Sequence, residues 1–181
     1  GLAALVTALQ TIISRRLDPA QPGVVTVGMV QAGTASNIIP ESATLRGTVR
    51  ATTSAARDLI VGEVDRLSFA IAAAHRLQAA VTWGERTPAV VNSPDGARWA
   101  LEAAVRVLGA NAVVPLGTTN MAGEDFAFYL ERMPGCFLRI GARERGGEMI
   151  AAHSPRFYPA EESLLGGAAV LAVLMIASML G

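Results

Sequence analysis

Gly23-Val24-Val25-Thr26-Val27-Gly28-Met29-Val30-Gln31-Ala32, the turn Gly33-Thr34-Ala35-Ser36-Asn37, and then Ser42-Ala43-Thr44-Leu45-Arg46-Gly47-Thr48-Val49-Arg50 together decide how the first half of this chain folds. Val25, Val27 and Met29 recur at every second position, the period of a strand with one buried face. In the second run Ala43, Leu45, Gly47 and Val49 point one way, and Thr44, Arg46, Thr48 and Arg50 the other. Two such runs joined by a turn containing Gly and Asn are expected to pair.

Helical sequence lies on both sides of this hairpin. From Leu2 to Arg16, Leu2, Leu5, Leu9, Ile12 and Ile13 share one helical face, and Asp18-Pro19 stops the run. From Thr53 to Ala74, Leu59, Val61, Val64, Leu67 and Ile71 recur at helical spacing, with Thr53 or Ser54 able to cap the start. A short strand, Gln78 to Trp83, is expected next. The order helix, strand, strand, helix, strand is one strand short of the split βαβ layout β-α-β-β-α-β. That strand is expected ahead of Gly1, in keeping with an opening, Gly1-Leu2-Ala3-Ala4-Leu5, that enters a helix without a capping residue.

From Pro88 onward the texture changes to an α/β alternation. Ser93-Pro94-Asp95 opens a helix through Leu108, strands are expected at Ala112 to Pro115 and Cys136 to Ile140, and a short helix at Glu124 to Met133. Ala142 to Ala152 reads as an Arg- and Gly-rich loop. A last helix follows Glu161-Glu162, whose carboxylates suit its first turn. The expected domains are therefore 1–86, a split βαβ unit lacking its first strand, and 87–181, part of an α/β domain.

Composition narrows the function. With 181 residues, 51% of them hydrophobic and 17% charged, the chain can bury a core and is neither tail nor linker. Its formal net charge is zero, every one of its 15 Lys or Arg positions is Arg, and these are scattered. No stripe suited to nucleic acid results, and without Lys no GxxxxGK[ST] phosphate loop can form. Leu164 to Leu180 is uncharged but shorter than the roughly 20 residues that span a bilayer, and it contains Gly166 and Gly167. A packed helix is expected there rather than a membrane anchor, and a cytoplasmic location is expected for the protein. The single Cys136, in Gly-Cys-Phe-Leu-Arg-Ile, reads as an inert buried side chain rather than a nucleophile.

Few residues are left to carry chemistry. Of the two histidines, His75 ends an amphipathic helix, where a polar side chain complements the dipole. His153 lies in the loop Ala151-Ala152-His153-Ser154-Pro155-Arg156-Phe157, free to aim an imidazole at a metal or simply at solvent. Glu124 and Asp125 follow Gly123 and either favour a helix N-terminus or line a site behind the polar run Leu116 to Asn120. Asn37 suits a turn, and Arg50 suits a solvated strand face.

Three separated segments nevertheless occur in an order that resembles the M20 peptidase family, specifically its aminoacylase, hippurate hydrolase and indole-acetyl-amino-acid hydrolase branch. They are Ser36-Asn37-Ile38-Ile39-Pro40-Glu41-Ser42-Ala43-Thr44-Leu45-Arg46-Gly47-Thr48-Val49-Arg50, Ala122-Gly123-Glu124-Asp125-Phe126-Ala127-Phe128-Tyr129, and His153-Ser154-Pro155-Arg156-Phe157. The resemblance implies a lid domain inserted in a catalytic α/β domain and forming a homodimer with its copy. It implies two divalent ions (Zn, Mn, Ni or Co), of which His153 would bind one, and an N-acyl amino acid or small peptide substrate. Asn37 would meet the substrate carbonyl and Arg50 its carboxylate, partly across the dimer, while Glu124 and Asp125 would line the pocket. The other metal ligands and the general-base Glu would lie upstream of residue 1, so the chain is expected to be inactive alone. Tyr158-Pro159-Ala160 departs from the acidic-aromatic pattern usual after the family's closing motif. The rival reading is a non-catalytic dimerising or binding module with a remnant hydrolase fold.

Overall fold

The computed structural model describes residues 1–84, 86–117 and 119–180, apart from the side chain of Leu180. They form a mixed α/β structure in two compact units. Gly1–Ala89 and Asn120–Asp125 make the first, and Val90–Thr119 and Phe126–Gly181 the second.

In the first unit, helices α1 (Leu2–Leu9) and α2 (Thr11–Arg15) lead into strands β1 (Gly23–Ala32) and β2 (Ala43–Ala51), followed by helix α3 (Ser54–Ala74). The expected first helix is thus interrupted at Gln10, whose amide bonds back to the Thr7 carbonyl at 3.3 Å. After Leu17 the Asp18 carboxylate accepts the Ala20 amide at 2.9 Å, a turn that stops the helix ahead of Pro19. Of the two capping candidates, Thr53 serves: its hydroxyl accepts the Ala56 amide at 3.1 Å. His75 is the C-cap of α3.

β1 and β2 pair antiparallel from Gly23 opposite Ala51 to Ala32 opposite Ala43. The register shifts between Val27, opposite Gly47, and Met29, opposite Arg46, so Gly28 is the extra residue of a bulge. This corrects the alternation expected for β1. Met29 stands beside Arg46 on the outer face, and Val30 takes the inner position opposite Leu45. The inner face packs Val25, Val27, Leu45 and Val49 against Leu9, Ile12, Leu17, Ala56 and Ile60. Ile12 and Ile60 have no exposed surface, and burying each contributes about 1.5–3 kcal/mol.

One carboxylate is built into the edge of this core. Glu63 on α3 is buried, with one oxygen 3.2 Å from Arg16 Nη2 and the other 2.7 Å from Arg66 Nη2. The Arg66 guanidinium foremost, joined by that of Arg16, holds its carboxyl below the usual carboxylate range, against the upward push of burial.

In the second unit, helix α4 (Pro94–Leu108) and a 3-10 turn at Ala110–Ala112 precede the short helix α5 (Ala127–Leu130) and the long helix α6 (Glu161–Leu180). Ser93 caps α4 by accepting the Gly96 amide at 3.2 Å. α4 buries Ala100 and Ala103, α6 buries Val170, and a Cβ on Gly166 would come 3.2 Å from Leu108 Cδ2, so small residues bring the two helices together. From Glu161 to Met179, α6 is long and apolar enough by length and composition to cross a membrane.

The strands expected at Gln78–Trp83, Ala112–Pro115 and Cys136–Ile140 do not pair among the described residues. A strand needs a neighbour; the Ala112 and Val113 amides instead turn back to the Gly109 and Ala110 carbonyls, and other groups engage the remaining two segments. The Phe137 amide donates to the Asn92 side-chain oxygen at 2.9 Å, and Asn92 Nδ2 donates to the Phe137 carbonyl at 3.2 Å. One side-chain amide thus occupies the backbone groups that a neighbouring strand would have used. Trp83 instead donates its indole N–H to Asp65 on α3 at 3.0 Å. The helix expected over Glu124–Met133 contracts to Ala127–Leu130.

Two predictions follow from the packing of the first unit. A Cβ on Gly47 would run into the Thr26 carbonyl oxygen, whereas one on Gly28 meets nothing within 4 Å. Gly47→Ala is expected to cost about 2–3 kcal/mol in urea unfolding and Gly28→Ala less than about 1 kcal/mol; equal effects would contradict the register. Glu63→Gln is expected to cost about 1–2 kcal/mol at pH 7. Because the folded carboxyl titrates below its ordinary value of about 4.3, its contribution is complete above that pH and is lost as pH falls through the lowered folded value. The difference between wild type and Glu63→Gln should therefore shrink progressively as the pH of the unfolding measurement falls below the ordinary carboxylate value; a difference that stays undiminished throughout the acid range contradicts the ion-pair account.

Candidate functional site

The hairpin sets where the first candidates stand. Asn37 lies exposed in the connection between β1 and β2, where the Ile38 amide meets the Ala35 carbonyl at 3.5 Å. Gly33, with φ of +72°, starts that connection against the ring of Pro40. Arg50 sits at the opposite end of β2, paired with Val24. The seven steps of strand from Ala43 to Arg50 cover about 23 Å, so one copy of the hairpin does not bring Asn37 and Arg50 together.

Arg50 does meet the segment that carries Glu124 and Asp125. Its Nη1 donates to the Met121 carbonyl at 2.8 Å, across 71 residues of sequence. The Asn120 side-chain oxygen accepts the Ala122 amide at 2.8 Å, which bends the chain around Met121. A Cβ on Gly123 would lie 3.6 Å from Arg50 Nη1, so the guanidinium rests over this glycine. Met121 and Glu124 are half-buried, and Asp125 is exposed. Sequence reasoning singled out Arg50, Glu124 and Asp125 separately but had no signal linking them, because the link runs from a side chain to a backbone carbonyl.

His153 belongs to the second unit. Two successive turns hold its loop: the Ser154 amide bonds to the Ala151 carbonyl at 2.9 Å and the Phe157 amide to the Ser154 carbonyl at 3.0 Å. An ion pair of 3.3 Å between Arg156 and Glu148 ties the loop to the preceding segment. The imidazole is exposed. Among the described residues no three His, Cys, Asp or Glu side chains are grouped closely enough to hold a metal ion. Burial pushes the Cys136 thiol up, away from thiolate chemistry.

Beside the His153 loop lies a cavity of about 290 Å³, walled by Ile140, Met149, Ile150 and Phe157, with Arg143 and Glu148 at its lining. Sequence reading saw only a loop from Ala142 to Ala152. The signal was the large apolar pair Met149-Ile150 after the charged and glycine-rich run Arg143 to Glu148.

The model of peptidase family M20/M25/M40 matches residues 3–177. Among similar proteins, the N-acetylcysteine deacetylase of Bacillus subtilis is 37% identical over 88% of this chain and 40% of its own length. The IAA-amino acid hydrolase ILR1-like 2 of Arabidopsis thaliana is 33% identical over 96% of this chain and 40% of its own. The solved structure of the YXEP protein of Bacillus subtilis, described as a dinuclear metal binding peptidase from the M20 family, superposes with a TM-score of 0.76 at 30% identity, covering 98% of this chain and 44% of that one. The chain spans about two fifths of the length of the curated relatives it matches. It belongs to peptidase family M20/M25/M40.

Proposed function

We propose that this M20-family chain contributes a carboxylate clamp and one metal-binding histidine to an enzyme that hydrolyses the amide bond of N-acyl amino acids. The observation that carries the reading is the family match over residues 3–177, which takes in Asn37, Arg50, Glu124, Asp125 and His153 in one ordered set. Relatives named as deacetylases and amino acid hydrolases support amide bonds as the chemistry.

The order α1, α2, β1, β2, α3 supports a split βαβ lid for the first unit. In this reading the second unit is the closing part of the catalytic domain. Arg50 recognises the free carboxylate of the substrate: its planar fork carries five donors, and Met121 takes one of them. Asn37 donates its side-chain N–H to the substrate carbonyl. Since Asn37 and Arg50 lie at opposite ends of β2, a homodimer paired through the lid is the arrangement in which the Asn37 of one copy can serve the Arg50 end of another. Glu124 and Asp125 shape the pocket beside them.

A centre of two divalent ions, Zn, Mn, Ni or Co, is part of the proposal, and the neighbour described as a dinuclear metal binding peptidase supports it. The described residues of this chain do not fit such a centre by themselves, because no group of three donors exists among them. His153 is then one ligand among several, the rest coming from outside this chain. The same shortage favours the second reading, a non-catalytic dimerising module, and activity separates the two.

The chain alone, supplied with each of these metals, is expected to release no acetate from N-acetyl amino acids; measurable turnover contradicts a shared site. A chimera in which residues 3–177 replace the matching segment of a deacetylase relative is expected to turn over N-acetyl amino acids. In that chimera Arg50→Lys should raise KM roughly ten- to hundredfold, as expected when a bidentate grip becomes a point charge. Substrates whose carboxylate is converted to an amide should show no such change. An inert chimera that folds and dimerises supports the non-catalytic module.

A further inference from the structure

The segment Asn120–Asp125 clusters with the first unit although its chain neighbours on both sides belong to the second. The bond from Arg50 Nη1 to the Met121 carbonyl, 2.8 Å long, joins it to β2. Three features make this a built contact. Arg50 projects from a strand whose register is set by pairing with Val24, so its base is rigid. Asn120, by accepting the Ala122 amide, bends the chain at Met121 and so orients its carbonyl. Gly123 leaves the room in which the guanidinium lies. A cationic donor on a carbonyl is stronger than a neutral one.

We propose that Arg50 is a positioning residue: through Nη1 it clasps the Met121 carbonyl and holds the 120–125 segment, with Glu124 and Asp125, against the end of β2. The function proposed above gives Arg50 a carboxylate to bind; the clasp is a second task of the same side chain and exists without substrate. Loss of Arg50 therefore removes two things, the fork that grips a carboxylate and the tether of the segment beside it. A lysine restores only the tether, since an ammonium can donate to one carbonyl but cannot present a planar fork.

Hydrogen exchange read by mass spectrometry on the full chain tests this without metal or substrate, so its outcome is separate from that of the enzymatic reading. Arg50→Ala is expected to speed exchange across 120–126 by roughly tenfold or more while α3 keeps its protection, and Arg50→Lys to return the segment to within about threefold of wild type. Unchanged exchange in Arg50→Ala, or no rescue by lysine, overturns the clasp. Should Arg50→Ala unfold the hairpin, NMR of the wild-type guanidinium decides. A slowly exchanging Nη1 proton with contacts to Met121 and Ala122 is expected, and a freely rotating, fast-exchanging guanidinium overturns the proposal.

Discussion

The first unit depends on the contact of Ile12 and Ile60 with the inner face of the hairpin. Both isoleucines are fully buried, one from α2 and one from α3, and Val25, Val27, Leu45 and Val49 close over them. A strand pair held on one face by such a contact cannot slip by one residue without turning its apolar side chains into water. The contact therefore fixes which residues look outward, and Arg50 and Arg46 are among them. It also explains why the bulge at Gly28 is tolerated. Past the bulge, Met29 and Val30 of β1 are about half exposed, so the register change falls where β1 leaves the core, while Leu45 of β2 still packs on it.

From that face the placement of the candidate residues follows. Arg50 is presented at one end of β2 and Asn37 at the other, and the chain returns after α4 to place the Met121 carbonyl beside the arginine. Glu63 stands at the edge of the same core and ties the C-cap of α2 to α3 through Arg16, while Arg66, one turn along α3, holds its other oxygen. Apolar packing sets the register, a buried ion pair secures the helices beneath it, and a cationic hydrogen bond recruits a distant segment.

What the sequence disclosed follows from how local each signal is. Thr53 and Ser93 mark their helices because a cap is made with residues three positions away. The pairing of β1 with β2 was legible because both sequences alternate and a connection opening on Gly33 and containing Asn37 joins them. The bulge was not, since Gly28 has no side chain with which to break the alternation of Val25, Val27 and Met29. Gln78–Trp83 and Cys136–Ile140 read as strands from composition, yet a ladder depends on a neighbour that periodicity cannot report; Asn92 fills that place for Phe137. Of the candidate residues, Asn37, Arg50 and His153 stood out only as parts of an ordered set of motifs. The bond from Arg50 to Met121 left no mark, being a side chain reaching a backbone carbonyl 71 residues away.

Two facts define the account: membership of an amide-hydrolysing family across residues 3–177, and a chain whose described residues assemble no metal-binding group of their own. They are reconciled if His153 supplies one corner of a centre completed by residues outside this chain. The most direct test is the metal content of the deacetylase chimera, measured by mass spectrometry on folded, dialysed protein with His153 and with His153→Ala. The account predicts that the parent retains two divalent ions per chain and that the variant loses at least one of them; an unchanged metal content in His153→Ala would contradict it.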